Sequence, residues 1–209
     1  MEIKNRATNH WRKLRWIAII LSLCAFFAGL FFFSLPWLLI RPSETMPSDV
    51  IFYSSSGDSV ETNQYVAELY NQGLAKKVVC ASGQIAWNTY PADFVREQLL
   101  QLGMLAEDVT TFHTPRVDCG ADLVPMFLNL CKEQGWQRVL IVANPIASRA
   151  TQRVWGNRFE QAHIQLAITY SPADREKLRG RWWRKHKQTQ MVVQQGIETL
   201  VDLFYPHCR

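Results

Sequence analysis

"RVLIVANPIASRA", residues 138–150, decides the fold of this 209-residue chain. Val139, Leu140, Ile141 and Val142 form a short continuous apolar run rich in β-branched residues, the signature of a strand covered on both faces. Asn144 and Pro145 then break the ladder, because proline has no N–H to donate. From Ser148 the stretch "SRATQRVWGNRFEQ" has the pattern of a helix. A buried strand that passes through a short loop into a helix is half of a βαβ unit.

Working outward, the same alternation recurs. "DVIFYS" (49–54), "KKVVCAS" (76–82), "DVTTF" (108–112) and "HIQLAIT" (163–169) read as strands. Between them "VETNQYVAELYNQG", "PADFVREQLLQLG" and "ADLVPMFLNLCKEQG" read as helices, with Pro91 in the first turn of the second, Gly103 as its stop, and Pro125 near the start of the third. Strands alternating with helices of about 10 to 15 residues imply a mostly parallel sheet with helices on both faces. The expected class is α/β: a doubly wound, mostly parallel five-stranded sheet over residues 49–209. "TQMVVQQGIETLVDLFY" reads as a closing amphipathic helix whose Met191, Val192, Ile197, Leu200 and Phe204 pack on the sheet.

The amino-terminal part is different. Ile17 to Ile40 contains no charged residue and exceeds the roughly 20 residues that a helix needs to cross a bilayer core. We expect a basic tail (1–15), a transmembrane helix (16–40) acting as an uncleaved signal anchor, and a polar linker (41–48). Trp16 and Trp37 lie where interfacial aromatic belts form. Lys4, Arg6, Arg12, Lys13 and Arg15 precede the run and only Arg41 follows it closely, which predicts the amino terminus in the cytoplasm. The expected location is a bacterial inner membrane, with the folded domain in the periplasm or outside.

The formal charge of +5 includes +4 from the first 15 residues, so the remainder is nearly neutral. That excludes the broad basic surface of a nucleic-acid binder. Cys24 lies within the apolar run; Cys80, Cys119, Cys131 and Cys208 allow three pairings that sequence does not distinguish, and Cys80 reads as a buried thiol. No zinc-type spacing appears, and no metal or cofactor is expected. Neither a GxGxxG turn after the first strand nor a P-loop is present, which removes the sequence warrant for dinucleotide or P-loop nucleotide binding.

In doubly wound sheets ligands lie beyond the carboxyl ends of the strands, where strand order reverses. This nominates Ser54, Ser55, Ser56 and Gly57 after the first strand, Ser82, Gly83 and Gln84 after the second, and Asn144, Ser148 and Arg149 after the fourth. Ser82-Gly83 is either an anion cradle of backbone N–H groups and a hydroxyl, or a tight turn. Arg149 either holds a phosphate or carboxylate in a bidentate pair, or makes a surface ion pair. His113 with Asp118, in the third loop, is the one His/acid pair near the expected mouth and the weak candidate for a general base. His163 and His207 read as structural or exposed. In "REKLRGRWWRKHK" (175–187), Arg179, Arg181, Trp182, Trp183, Arg184, Lys185 and Lys187 read either as a solvated helix face or as a membrane-surface patch for anionic lipid.

Four stretches, "DVIFYSSSG", "LYNQGLAKKVVCASGQ", "FVREQLLQLGMLAEDV" and "RVLIVANPIASRA", resemble the bacterial SanA/ElyC/YdcF-like family over about residues 49–205. In that family a Gly-rich turn follows the first strand, an Arg starts the first helix, Ser-Gly-Gly follows the second strand, and Thr-x-x-x-His-x-x-Arg-Ala follows the fourth. Here Ser82-Gly83 and Arg149-Ala150 match, and Asp93 stands where an acidic residue usually begins the second helix. The chain departs at Ser54-Ser55-Ser56-Gly57, at Thr62 and Asn63 near the place of the Arg, and at Gln84. "TPRVDCGAD" replaces a Ser/Asn/Thr-rich stretch, and Ile146 stands where the His would be. Isoleucine neither transfers a proton nor ligates a metal.

The resemblance implies a role in envelope biogenesis, linked to peptidoglycan and lipid-carrier metabolism. Three functions are expected to compete. The first is an accessory factor that binds a phosphorylated ligand such as a polyprenyl-phosphate carrier. The second is an enzyme of phosphoryl or glycosyl chemistry, with a first-loop serine as nucleophile and His113 or Asp118 as base. The third is a scaffold with a vestigial pocket that recruits envelope-synthesis proteins.

Overall fold

The computed structural model describes residues 2–54, 60–114 and 123–204, with side chains described from 15 to 201 within those ranges. The chain divides into two compact units, 1–38 and 39–209. In the first, α1 (Glu2–Leu39) runs through Pro36 without ending. Its Arg15–Leu39 part, with mean hydropathy 2.5, is long and apolar enough to cross a membrane. At 1.5 Å per residue these 25 residues extend about 37 Å, more than a hydrocarbon core of about 30 Å.

The second unit is a Rossmann-like α/β domain. Its five strands, β1 (Val50–Ser54), β2 (Lys77–Gly83), β3 (Val109–Thr114), β4 (Arg138–Val142) and β5 (Gln165–Thr169), form one sheet in the order β3-β2-β1-β4-β5. Every adjacent pair is parallel. The apolar run Val139–Val142 lies beside the central strand, with Val139 opposite Val50 and Val142 opposite Tyr53.

Side chains alternate across the sheet and so sort into two cores. Ile51, Tyr53, Val78, Cys80, Leu140 and Val142 face α2 (Val60–Asn71) and α3 (Pro91–Gln101). Val50, Phe52, Val79, Ala81, Val139 and Ile141 face α4 (Leu123–Gln134) and α5 (Ser148–Gln161). In the second core Phe52 lies 4.3 Å from Phe127 and 4.9 Å from Trp155, ring centre to ring centre. Cys80 and Cys131 are buried free thiols on opposite faces, and burial pushes each up to about 12. Cys119 and Cys208 lie outside the described residues.

The chain moves outward from β1 to β2 to β3, and α4 then carries it back to the other side of β1. Strand order therefore reverses between β1 and β4, which is where a doubly wound sheet opens a crevice. Helix α3 ends as the sequence indicates: Gly103 adopts φ +91 and the N–H of Met104 returns to the carbonyl of Leu99 at 3.2 Å.

Two segments differ from expectation. Helix α7 (His186–Phe204) buries Val192 fully but leaves Ile197 56% and Leu200 44% exposed, so its apolar stripe is covered only in its first half. The side chain of Phe204 is outside the described residues. The segment read as a linker lies along the domain: the N–H of Arg41 bonds Ser148 Oγ at 2.9 Å, that of Glu44 bonds the Ile168 carbonyl at 3.0 Å, and that of Ser48 bonds the Leu74 carbonyl at 2.7 Å. Met46 packs on the first core. Residues 40–48 are thus a strap, since the N–H groups of Arg41, Glu44 and Ser48 are bonded to the domain along its length.

Candidate functional site

A cavity of about 290 Å3 opens between the carboxyl ends of β1 and β4. Ser54 comes from β1, Asn144 from the β4 loop, Glu61 and Thr62 from the first turn of α2, Asp174 and Lys177 from α6 (Pro172–Lys177), and Lys187 from the first turn of α7. The topology dictates this convergence, because every parallel strand delivers its following loop to the same edge.

The charges around the cavity are unevenly committed. Lys177 Nζ lies 3.0 Å from Glu61 Oε2 and 2.9 Å from Asp174 Oδ1. Thr62 Oγ1 donates to the other Asp174 oxygen at 2.5 Å. Burial works against the charged amine, yet the two carboxylates outweigh it and hold the pKa of Lys177 above the ordinary lysine value. One ammonium is therefore shared by two carboxylates, which leaves the wall one negative charge in excess. Asn144 accepts the Ile146 N–H through Oδ1 at 3.2 Å, which leaves its amide nitrogen as the donor of this exposed side chain. Ser54 supplies a hydroxyl beside it, and the exposed Lys187 an ammonium with no ion-pair partner among the described residues. Lys187 balances the remaining negative charge of the wall, and what the cavity offers a ligand is the donors of Ser54, Asn144 and Lys187.

The structure gathers only part of the residues nominated by sequence. Ser54, Asn144 and Lys187 share the cavity. Ser55, Ser56, Gly57 and Asp118 lie outside the described residues. Ser82 is 6% exposed; its Oγ accepts the Ala92 N–H at 3.0 Å at the start of α3, and its carbonyl accepts Thr114 Oγ1 at 3.2 Å. Gly83 is a ladder partner of Thr114, and Gln84 Nε2 reaches Asn88 Oδ1 at 3.5 Å. These three do not line the cavity. Ser148 is fully buried and donates to the Pro145 carbonyl at 2.6 Å while holding the strap. Arg149 is exposed, with Nη2 3.4 Å from the Ile40 carbonyl.

Ile146 is 4% exposed in a 3-10 turn over Pro145–Ala147, so its side chain belongs to the packing of the domain. His113 Nε2 lies 2.7 Å from Asp93 Oδ1 and its ring stacks on Tyr90 at 4.1 Å. The described carboxylate on this histidine is therefore Asp93, brought in by α3, where sequence nominated Asp118. In the basic stretch Trp182 is 3% exposed, a correction to its assignment to a membrane surface: the 3-10 turn Trp182–Arg184 turns the ring into the fold. Trp183 stays 40% exposed, and Arg179 pairs with Glu176 at 3.1 Å.

Sequence reasoning missed Glu61, Asp174 and Lys177 as wall residues. Their signal was the juxtaposition of one acid opening α2 with an acid and a lysine three apart on α6, which becomes visible only when the sheet order brings those turns together.

No family model matches the chain, and no curated protein matches it. Among solved structures, a universal stress protein in complex with cAMP is similar at 12% identity and a TM-score of 0.36, covering 60% of this chain and 98% of that one. A likeness at that level carries no argument about function.

Proposed function

We propose that the protein is a membrane-anchored accessory factor of bacterial cell-envelope biogenesis that binds a phosphorylated ligand of the polyprenyl-phosphate type. One observation carries the reading: at the β1/β4 switch point both wall acids turn toward Lys177, and Ser54, Asn144 and Lys187 stand as donors in the cavity lining. Hydroxyl, amide and ammonium donors suit phosphate oxygens, and a charge-assisted bond from Lys187 adds about 1.5 to 3 kcal/mol. The span fits a ligand that lives in a bilayer, the amino-terminal charge bias supports an outward-facing domain in the inner membrane, and the resemblance to the SanA/ElyC/YdcF-like family supports the envelope setting. The enzymatic reading is less well served, because His113 is held by Asp93 away from the cavity lining.

The test is titration of the detergent-solubilised full chain with geranylgeranyl phosphate and with geranylgeraniol. The phosphate is expected to bind and the alcohol not. Lys187→Ala should weaken binding by about tenfold or more, the equivalent of one charge-assisted bond. Equal affinity for phosphate and alcohol would refute the reading.

A further inference from the structure

The loop after β2 takes no part in the cavity, yet it is built with care. In "QIAWNTY" (84–90) the N–H of Ile85 bonds the Thr89 carbonyl at 3.1 Å and that of Thr89 bonds the Ala86 carbonyl at 2.6 Å. Trp87 and Asn88 adopt φ +44 and +79 in succession, the pattern of a type I′ hairpin turn that Asn-Gly usually supplies. A tryptophan in left-handed backbone is strained. The turn nevertheless holds Trp87 94% exposed and Ile85 67% exposed, so folding gains nothing from either side chain.

Because the sheet is wholly parallel, this tip projects from the same edge as the loop after β4. There Ser148 Oγ holds the N–H of Arg41, two residues beyond Leu39, where the apolar run Arg15–Leu39 ends. Two residues reach at most about 7 Å. The edge that carries Trp87 is therefore the edge tied to the end of the apolar run. Exposed cations belong to it as well: Arg149 after β4, and Arg181, Arg184 and Lys185 in the segment that follows β5, beside the half-exposed Trp183.

We propose that the carboxyl edge of the sheet docks on an anionic bilayer surface, with Ile85 and Trp87 entering the interfacial layer. Tryptophan favours the headgroup region, and lysine and arginine near an anionic surface add attraction. Covalent continuity with the apolar run selects lipid as the occupant, since Arg41, bonded at this edge, follows the last residue of that run by two positions. The docking holds whatever the cavity binds.

The test uses the full chain in nanodiscs of phosphatidylcholine with a minority of phosphatidylglycerol. Trp87→p-benzoylphenylalanine and, separately, Ile85→p-benzoylphenylalanine place a photocrosslinker at the tip; Gln134→p-benzoylphenylalanine places one at an exposed position on the opposite edge. Lipid adducts are expected at 85 and 87 and not at 134. Adding Asn144→Ala, which removes a cavity donor but no charge, should leave the adducts unchanged, which separates this inference from the cavity reading. No lipid adduct at 85 and 87, equal adducts at all three positions, or crosslinks at 85 and 87 to a second copy of the chain would overturn it.

Discussion

At the scale of single residues, the two edges of the sheet use their charges in opposite ways. At the amino edge they are closed among themselves. Asp49 accepts the backbone N–H groups of Gln137 and Arg138 at 2.8 and 2.9 Å and the Arg138 guanidinium at 2.9 Å. Asp108 takes Lys77 at 2.8 Å and the Tyr70 hydroxyl at 2.6 Å. The Lys77 and Tyr70 bonds hold Asp108 below the ordinary carboxylate value; at Asp49, burial pulls upward and the bonds from Gln137 and Arg138 overcome it. A depressed folded pKa means that the native state binds fewer protons than the unfolded chain. These groups therefore stabilise the domain fully above the unfolded carboxylate value of about 3.9 and lose that contribution as pH falls through their folded values. Thermal unfolding of the full chain in detergent should thus show a Tm that drops below about pH 4, with a shallower drop in Asp108→Asn. An unchanged acid limb in that variant would show that Asp108 is not one of the groups responsible. At the carboxyl edge Lys177 is shared by two wall acids, while the donors of Ser54, Asn144 and Lys187 are left toward the cavity.

At the scale of elements, the strands and helices followed from local pattern. Residues 139–142 are apolar because β4 sits beside the central strand with helices on both faces. Helix α5 occupies the very stretch that periodicity marked, Ser148–Gln161. The aromatic cluster of Phe52, Phe127, Trp155 and Phe159 joins β1, α4 and α5, so Phe127→Ala should cost about 3 to 5 kcal/mol through lost burial and the cavity left behind. Denaturant unfolding of the detergent-solubilised chain measures it, and a loss under 1 kcal/mol would mean that the site collapses around the gap, roughly as surface sites behave. The site was less legible than the elements. Loop residues nominated by strand order alone included Ser82, whose hydroxyl was already spoken for by the start of α3. Nothing local to Ser82 distinguishes a hydroxyl that caps a neighbouring helix from one that meets a ligand, because the difference lies in where α3 begins. The exposure of Ile197 and Leu200 has a related origin: periodicity reports that a helix has an apolar face, and only the surrounding elements report how far along that face is covered.

At the scale of the whole molecule, composition separated a chargeless amino-terminal run from a nearly neutral α/β domain, and the fold bears out that class. What composition did not convey is that residues 40–48 are bound to the domain. Ser148 is the joint, a fully buried hydroxyl that accepts the Arg41 N–H and donates to the Pro145 carbonyl. Ser148→Ala leaves that amide without its partner, at a local cost of about 1 to 3 kcal/mol. Hydrogen exchange should then quicken at Arg41, while the amides of β4 keep their protection. Unchanged exchange at Arg41 would mean that the strap is held by its other bonds.

The cavity between β1 and β4 is proposed to hold a phosphorylated lipid. Native mass spectrometry of the full-length chain released from detergent, compared with the Lys187→Ala/Asn144→Ala double variant, tests it most directly. The account predicts a retained adduct with the mass of a polyprenyl phosphate in the parent chain and its loss from the variant. An adduct undiminished in the variant, or a parent chain that carries none even after incubation with excess polyprenyl phosphate, would contradict it.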